Sequence, residues 1–353
     1  MSPVKSCVRL LEDYAVSQAP CRAKLNQNEA PDDLPPELKE AVLARLSRIP
    51  WNRYPAAAAA ALTERLSEYA GFPAEGILVG NGSNELIQTL VTAVCDSGDC
   101  LVTVRPGFSV YKRVAATLNI RAVEVPLRDD FSFDVDAIIE SGRAARLVIL
   151  ASPNNPTGTV LGLGDIDRLA GCLSGLLAVD EAYYEFHGQT ASSLIAGREN
   201  LVVLRTFSKA FGLAGLRLGY LLGESGVVRE LSKAKLPFSV GILQQAAALE
   251  ILERRTLVER RVGEIVRERE RLFEEMRRLP GIIPFPSRAN FILFESRDVP
   301  PADIFQRLFG DGVLIRPLSG PLLENKLRVT VGTAGENNAF LSCLSSICLG
   351  AKT

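Results

Sequence analysis

The sequence predicts an α/β fold in which a mostly parallel sheet, covered by helices on both faces, is joined to a smaller α+β lobe. Three observations carry this expectation. Short apolar runs ending in glycine or polar turns alternate with longer helical patterns through the first two thirds of the chain. Several of these runs deliver polar residues at their C-terminal ends, where such sheets bind ligands. Past residue 240 the texture changes to a Glu- and Arg-rich helical pattern followed by short strands.

Taken in order, the first forty-odd residues include the proline-rich APDDLPPELKEAV and are expected to run beside the second lobe. The run AAAAAA at 56–61 reads as a helix start. GILVGNGSNELIQTLVTAVC reads as a strand at 77–79, a turn, and a helix capped near Ser83. LVTV at 101–104 leads into RPGFSVYKRVAATL, and RAVEV follows at 121–125. LVILASP at 147–153, LLAVDEAYYEF at 176–186 and LVVLRTFS at 201–208 each read as a buried strand with polar residues at its end. Residues 241–279 form one helical pattern, most simply a solvated helix bridging two lobes. ANFILFES, VLIRP and LRVTV are then three short strands, with helices at about 302–309 and 336–348. This organisation puts a large domain at 45–245 and a small one at 1–44 plus 246–353.

A chain of 353 residues that is 47% hydrophobic can bury one large core and a second smaller one. Its net charge of −1, with acids and bases interspersed, leaves no basic stripe for nucleic acid. The longest apolar stretches fall short of a membrane span, and Lys5, Arg9, Glu12 and Asp13 break any signal-peptide core. Seven cysteines, odd in number and without CxxC spacing, read as reduced thiols, so a cytoplasmic location is expected. His187 is the sole histidine, so a histidine-based zinc site or a Ser-His-Asp triad would rest on it alone. It reads as a satisfied histidine near a strand end, and no metal is expected.

Four polar clusters fall at strand ends. GNGSNE at 80–85 has Glu85 where a dinucleotide fingerprint needs its third glycine, which leaves a turn and a helix N-terminus that favours phosphate. SPNNPTGTV at 152–160 is a proline-stiffened turn that would hold the Asn155 amide in one orientation. In VDEAYYEF, Asp180 follows an apolar run, and a buried carboxylate is costly unless it meets a cation or donors. TFSKAFGLAGLRLGY at 206–220 carries Lys209. Two readings stand for it: a surface lysine after a strand, or a pocket amine whose pKa burial and nearby cations lower from about 10.4.

The order SPNNPTG, DEAYYEF, TFSKAFGLAGLRLGY, together with KLNQNEAP, NRYP, GNGSNELI and LRVTVGT, extends over nearly the whole chain. It resembles the pyridoxal 5′-phosphate-dependent fold type I aminotransferases of class I/II, and within them the histidinol-phosphate branch. The resemblance implies a large domain built on a seven-stranded sheet. It implies that Lys209 is joined covalently to the cofactor and moves the substrate proton, while Asp180 keeps the pyridine nitrogen protonated. Asn155 and Tyr183 would bond the cofactor's 3′ oxygen, and Phe108 would stack on its ring. Arg217, Ser208, Thr206 and the backbone N–H groups of Ser83 and Asn84 would clamp its phosphate. Tyr54 of NRYP would reach that phosphate from a second subunit, which implies a homodimer. Arg328 would bind the α-carboxylate of glutamate, and Arg316 would add a second cation for a substrate phosphate, with Asn155 also at the substrate.

The expected reaction exchanges an amino group between histidinol phosphate and 2-oxoglutarate, giving imidazole acetol phosphate and glutamate. An aromatic amino acid aminotransferase and a threonine-phosphate decarboxylase are the alternatives. A sensor fused to a DNA-binding module is disfavoured, since the segment before NQNEAP is short for a winged helix. One departure from the family pattern is Ala30, where a tyrosine or asparagine often contributes to the substrate phosphate site.

Overall fold

The computed structural model describes residues 2–13, 19–56 and 59–350. Its strands in chain order are β1 (Ala23–Lys24), β2 (Ile77–Gly80), β3 (Cys100–Arg105), β4 (Arg121–Pro126), β5 (Leu147–Ala151), β6 (Leu176–Asp180), β7 (Leu201–Thr206), β8 (Gly219–Gly223), β9 (Ile282–Pro284), β10 (Phe291–Ser296), β11 (Val313–Leu314), β12 (Arg316–Pro317) and β13 (Lys326–Thr330). Seven form the main sheet in the order β2-β8-β7-β6-β5-β3-β4. The strand β8 runs antiparallel to both of its neighbours, and the remaining pairs are parallel. Every residue of β5, β6 and β7 is buried, which is why these strands read as unbroken apolar runs rather than as alternating ones. From β3 the chain moves outward to β4 and then returns to the other side of β3 for β5. That reversal opens a crevice at the carboxyl ends of β3 and β5.

Several elements differ from the sequence expectation. The three central runs stop earlier as strands, at Ala151, Asp180 and Thr206, and YEFH is a helical turn at Tyr184–His187. Strand β8 begins at the end of the glycine-rich TFSKAFGLAGLRLGY segment and runs past it to Gly223. The helix after β2 spans Gly82–Val94, and its N-cap is Asn81 rather than a residue near Ser83. Glu85, the residue that breaks the dinucleotide fingerprint, accepts the Asn81 N–H at 2.6 Å and the Ser239 hydroxyl at 2.9 Å, so it caps this helix. The alanine run begins its helix only at Ala60; Ala57 and Ala58 lie outside the described residues.

The long 241–279 pattern is two helices, Ile242–Glu253 and Arg255–Arg277, with Arg254 out of helical conformation between them. Glu250 is buried and is held by Arg45 and Arg254. The Arg254 side chain also donates to the Glu250 carbonyl, while its backbone N–H turns to Ile251, so neutralising a buried carboxylate interrupts the helix. The second helix is not simply solvated: Val258, Ile265, Arg269, Leu272 and Met276 line one buried stripe.

The C-terminal strands form a four-stranded antiparallel sheet, β12-β13-β10-β9, with helices Pro301–Gly310 and Ala334–Gly350. VLIRP is not one strand. Its first half, β11, pairs with β1 of the N-terminal segment, and its second half, β12, pairs with β13. The expected boundaries at 44/45 and 245/246 fall within helices Pro36–Leu46 and Ile242–Glu253, which are joined by the Arg45–Glu250 ion pair. Among the described residues no helix is long and apolar enough to cross a membrane.

The main sheet also buries a charged group. Arg205 of β7, 1% exposed, pairs with Glu181 at 3.1 Å, donates to Thr190 at 2.6 Å and sits 3.7 Å over the Tyr184 ring. Nearby, the Glu185 carboxyl oxygens are buried with no hydrogen-bond partner beyond their own backbone. Burial, reinforced by the Glu181 charge and opposed by Arg205, pushes Glu185 up to about 8. Below its ordinary value of 4.5 both folded and unfolded states are protonated. Between 4.5 and about 8 the unfolded chain releases the proton that the fold retains, so stability falls across that window. Glu185→Gln should remove this component, making the variant about 2–4 kcal/mol more stable than wild type at pH 8 and nearly equal to it at pH 4. Denaturant unfolding at the two pH values measures the difference, and an unchanged gap contradicts a neutral buried Glu185.

Candidate active site

The crevice at the strand ends is a cleft of about 560 Å³. It gathers Ser83, Asn84, Phe108, Asn155, Asp180, Tyr183, Thr206, Ser208, Lys209, Arg217, Arg316 and Arg328, all expected from the sequence. Tyr54 is the exception: it is 81% exposed, stacks on Phe238 with ring centroids 4.7 Å apart, and does not line the cleft of its own chain. His187 and Ala30 are also outside this cleft; Ala30 lines a neighbouring pocket beside Gly212.

Sheet register builds the anion-binding end. Gly219, the first residue of β8, pairs with Gly80 of β2 on one side and with Thr206 of β7 on the other. The start of helix Gly82–Val94 therefore meets the end of β7, and its first-turn N–H groups have no partner within the helix. A Cβ at Gly219 would stand 2.5 Å from the Ser83 nitrogen, and one at Gly82 would stand 2.7 Å from Arg217 Nη2. Gly82 also has φ +77°, open to glycine and strained for other residues. Arg217 itself takes a left-handed φ of 53°, which turns its guanidinium back to donate to Ser208 Oγ at 3.3 Å and the Ala214 carbonyl at 3.1 Å. Thr206 donates to Ser208 Oγ at 3.0 Å. Backbone donors, two hydroxyls and a guanidinium so converge on one spot, a cradle for a phosphate.

Lys209 lies just beyond β7, and its ammonium donates to the Gln27 carbonyl at 2.9 Å. Burial, then the positive charge of Arg328, bring it down to about 7; Glu29 pulls upward, and Arg217 and Lys24 add smaller downward effects. The pocket reading of this lysine is the one the fold realises. Asp180, the last residue of β6, is 3% exposed. Its Oδ2 accepts the Tyr111 hydroxyl at 2.6 Å and its Oδ1 accepts the Ala182 N–H at 3.0 Å. Burial raises its pKa, while those bonds and the Lys209 charge pull it down less strongly. Both hydrogen-bond donors are neutral, so the cleft floor carries a carboxylate suited to a cationic partner.

On the opposite wall, Arg316 of β12 and Arg328 of β13 are directly cross-strand partners. Arg328 donates to Asn155 Oδ1 at 2.5 Å and to the Asn26 carbonyl at 2.7 Å. Asn155 follows the cis Ser152–Pro153 peptide and precedes Pro156 in another cis bond. The neighbouring Asn154 donates to the Pro106 carbonyl at 3.0 Å, which ties the β5 loop to the β3 loop bearing Phe108.

The sequence reading missed several residues that shape the site. Tyr111 follows Phe108 by one helical turn, and the Phe108 ring meets it edge-on at 5.4 Å. Asn28 donates to the Tyr183 hydroxyl at 2.9 Å, a contact across 155 residues that no one-dimensional pattern shows. The carbonyls of Asn26 and Gln27 carry no side-chain signal at all. A polar KLNQNE run at the chain's start was the one available hint, and its partners Thr330 and Asn290 lie some 260–300 residues away in sequence.

The chain belongs to the class I and II aminotransferases, whose family model matches residues 23–344. It is 42% identical over 92% of its length to a histidinol-phosphate aminotransferase of Chlorobium phaeovibrioides, 91% of which is covered. It is 41% identical to a histidinol-phosphate aminotransferase of Thermococcus kodakarensis, with 97% of each chain covered. Among solved structures, the histidinol-phosphate aminotransferase of Sinorhizobium meliloti in complex with pyridoxal-5′-phosphate superposes with a TM-score of 0.89, 26% identity, and 99% and 98% of the two chains covered.

Three outcomes follow from this geometry. In the cofactor-free protein, acylation of Lys209 should titrate near pH 7, well below ordinary lysines at about 10.4. Arg328→Gln should raise that midpoint by removing the leading neighbouring charge. Peptide mapping of labelled lysines across pH reads both, and a midpoint near 10 contradicts the buried setting. Gly219→Ala should cost about 1–3 kcal/mol in unfolding free energy, because its methyl meets backbone rather than a flexible side chain.

Proposed function

We propose that this chain is a pyridoxal 5′-phosphate-dependent histidinol-phosphate aminotransferase. It exchanges an amino group between histidinol phosphate and 2-oxoglutarate, giving imidazole acetol phosphate and glutamate in L-histidine biosynthesis. The observation that carries the reading is one cleft in which a low-pKa lysine faces two strand-paired arginines. The curated relatives named above carry that same activity in their names.

The residues fit the cofactor. The glycines at 82 and 219 let the helix start, the end of β7 and the Arg217 guanidinium crowd around one anion cradle, and the buried Asp180 suits a protonated pyridine nitrogen. When bound, the cofactor supplies an electron sink that lets the substrate's Cα–H bond break. The chain's own groups do the rest. Lys209 near pH 7 exists in comparable amounts of both protonation states, so it can take the Cα proton and return it. Asp180 would keep the ring nitrogen protonated; losing that charge pair would cost several kcal/mol of barrier, on the order of 10²-fold or more in rate. Asn155 turns its amide oxygen to Arg328, and its NH₂ end would donate to the 3′ oxygen. Tyr183 accepts from Asn28, and its O–H would donate to that same oxygen. Phe108 would cover the ring face. Arg217, Ser208, Thr206 and the Ser83 and Asn84 N–H groups would hold the phosphate.

Arg328 takes the α-carboxylate of glutamate, and Arg316 beside it supplies the second cation that a substrate phosphate needs. Two substrates then share one site in turn. Residues 45–245 carry the cofactor, and 1–44 with 246–353 close over the substrate. The working form is a cytoplasmic homodimer in which Tyr54 of one copy reaches the phosphate cradle of the other. The exposure of Trp51, Tyr54, Leu236 and Phe238 supports this, because such a group of large apolar side chains is suited to burial against a second copy.

Purified protein loaded with the cofactor should be yellow, and Lys209→Ala should abolish that absorption. Histidinol phosphate should change the spectrum within one turnover, and Asp180→Asn should slow the reaction about 10²-fold or more. A rapid response to phenylalanine with none to histidinol phosphate would reassign the substrate, and carbon dioxide release from threonine phosphate would reassign the reaction.

A further inference from the structure

Tyr111 lies on helix Val110–Thr117 and is 1% exposed, although its hydroxyl borders the cleft. It gives its single proton to Asp180 Oδ2 at 2.6 Å, and its ring carries the edge of Phe108. The other Asp180 oxygen is held by a backbone N–H. The two oxygens are thus fixed from two different elements, the helix after β3 and the turn after β6. The charged or titratable groups facing this carboxylate are Tyr111 and Lys209, and Tyr183 faces the Tyr111 hydroxyl in turn. Burial, then the Asp180 charge, hold the Tyr111 proton in place well above the ordinary tyrosine range. Tyr111 therefore acts on Asp180 through a dipole and never through a charge of its own.

A hydrogen bond to the ionised form of a carboxyl favours that form. Without the hydroxyl, a carboxylate buried this deeply keeps one backbone donor and becomes a stronger base. A stronger base draws the proton of a facing ring nitrogen toward itself and weakens the ring as an electron sink. We propose that Tyr111 is a positioning residue that acts through Asp180: it orients the carboxylate and keeps it ionised, and so sets how firmly the cofactor's ring nitrogen holds its proton. This rests on the cofactor reading given above. It adds a residue on the far side of the carboxylate that touches neither the reacting atoms nor the phosphate.

The test compares two cofactors on the apo-protein: pyridoxal 5′-phosphate and an analogue with C–H in place of the ring nitrogen. Tyr111→Phe should weaken binding of the natural cofactor by about tenfold or more, the scale of a lost hydrogen bond to a charged group, and leave the analogue's affinity unchanged. In an Asp180→Asn background, Tyr111→Phe should have no further effect on the natural cofactor, because the group it acts through is gone. With substrate, kcat should fall and KM for histidinol phosphate should stay near the wild-type value. Equal weakening of both cofactors, or the full loss again in the Asp180→Asn background, overturns the proposal, since a purely structural tyrosine would act alike in all cases. A wild-type protein that takes up neither compound overturns the cofactor reading and this one with it.

Discussion

Much of the site depends on one close approach of main chain to main chain. Gly219 pairs with Gly80 and Thr206 at once, and the helix start at Gly82 and Ser83 can lie against it only because it has no side chain; together these fix where three segments meet. The helix start at Gly82, the hydroxyls at the end of β7 and the reversed Arg217 share one location because of it. Beyond this point the parallel strands β5, β6 and β7 are buried along their whole length, so their polar residues appear only where the strands stop. A buried apolar sheet with polar ends concentrates charge at one edge, where little solvent remains to screen it.

The second organising element is the segment from Lys24 to Glu29, which lies between the main sheet and the antiparallel one. Its consecutive carbonyls serve different walls: that of Asn26 takes Arg328, and that of Gln27 takes Lys209. Asn28, in a left-handed conformation, bonds Tyr183 on one side and Thr330 on the other. Cations from β13 and from the β7 loop are thereby held in one cleft, where Arg328 is the leading neighbouring charge on Lys209. The low affinity of that amine for protons is a property of the assembled pieces. No local stretch around residue 209 would produce it.

Much of the fold was legible because its signals are local. Period and turn residues located the strands β2 to β7, and the helix signals near 302 and 336 were close to the observed ends. The cleft residues were legible as strand-end polar groups in a known order. What escaped did so for physical reasons. Strand β8 sits in a glycine-rich stretch whose composition resembles a loop, and only its two neighbours make it a strand. The break at Arg254 arises from the burial of Glu250 against Arg45, about 200 residues away, which no helical period can report. Tyr111 was hidden beside Phe108 because its partner, Asp180, is distant in the chain. The Asn26 and Gln27 contacts are made by carbonyls, which are the same in every residue.

The two walls of the cleft are built to different tolerances. The wall bearing Gly219, Thr206 and Asp180 belongs to the sheet interior, where Gly219 and Asp180 are each paired with a strand on either side and Thr206 is paired with Gly219. Arg316 stands instead on a two-residue strand, β12, bonded along one side only and continuing into the half-exposed or exposed Leu318 and Ser319. Sequence drift there disturbs little else. A side-chain change on this rim therefore alters the lining of the cleft while asking little of the sheet that carries Lys209 and Asp180.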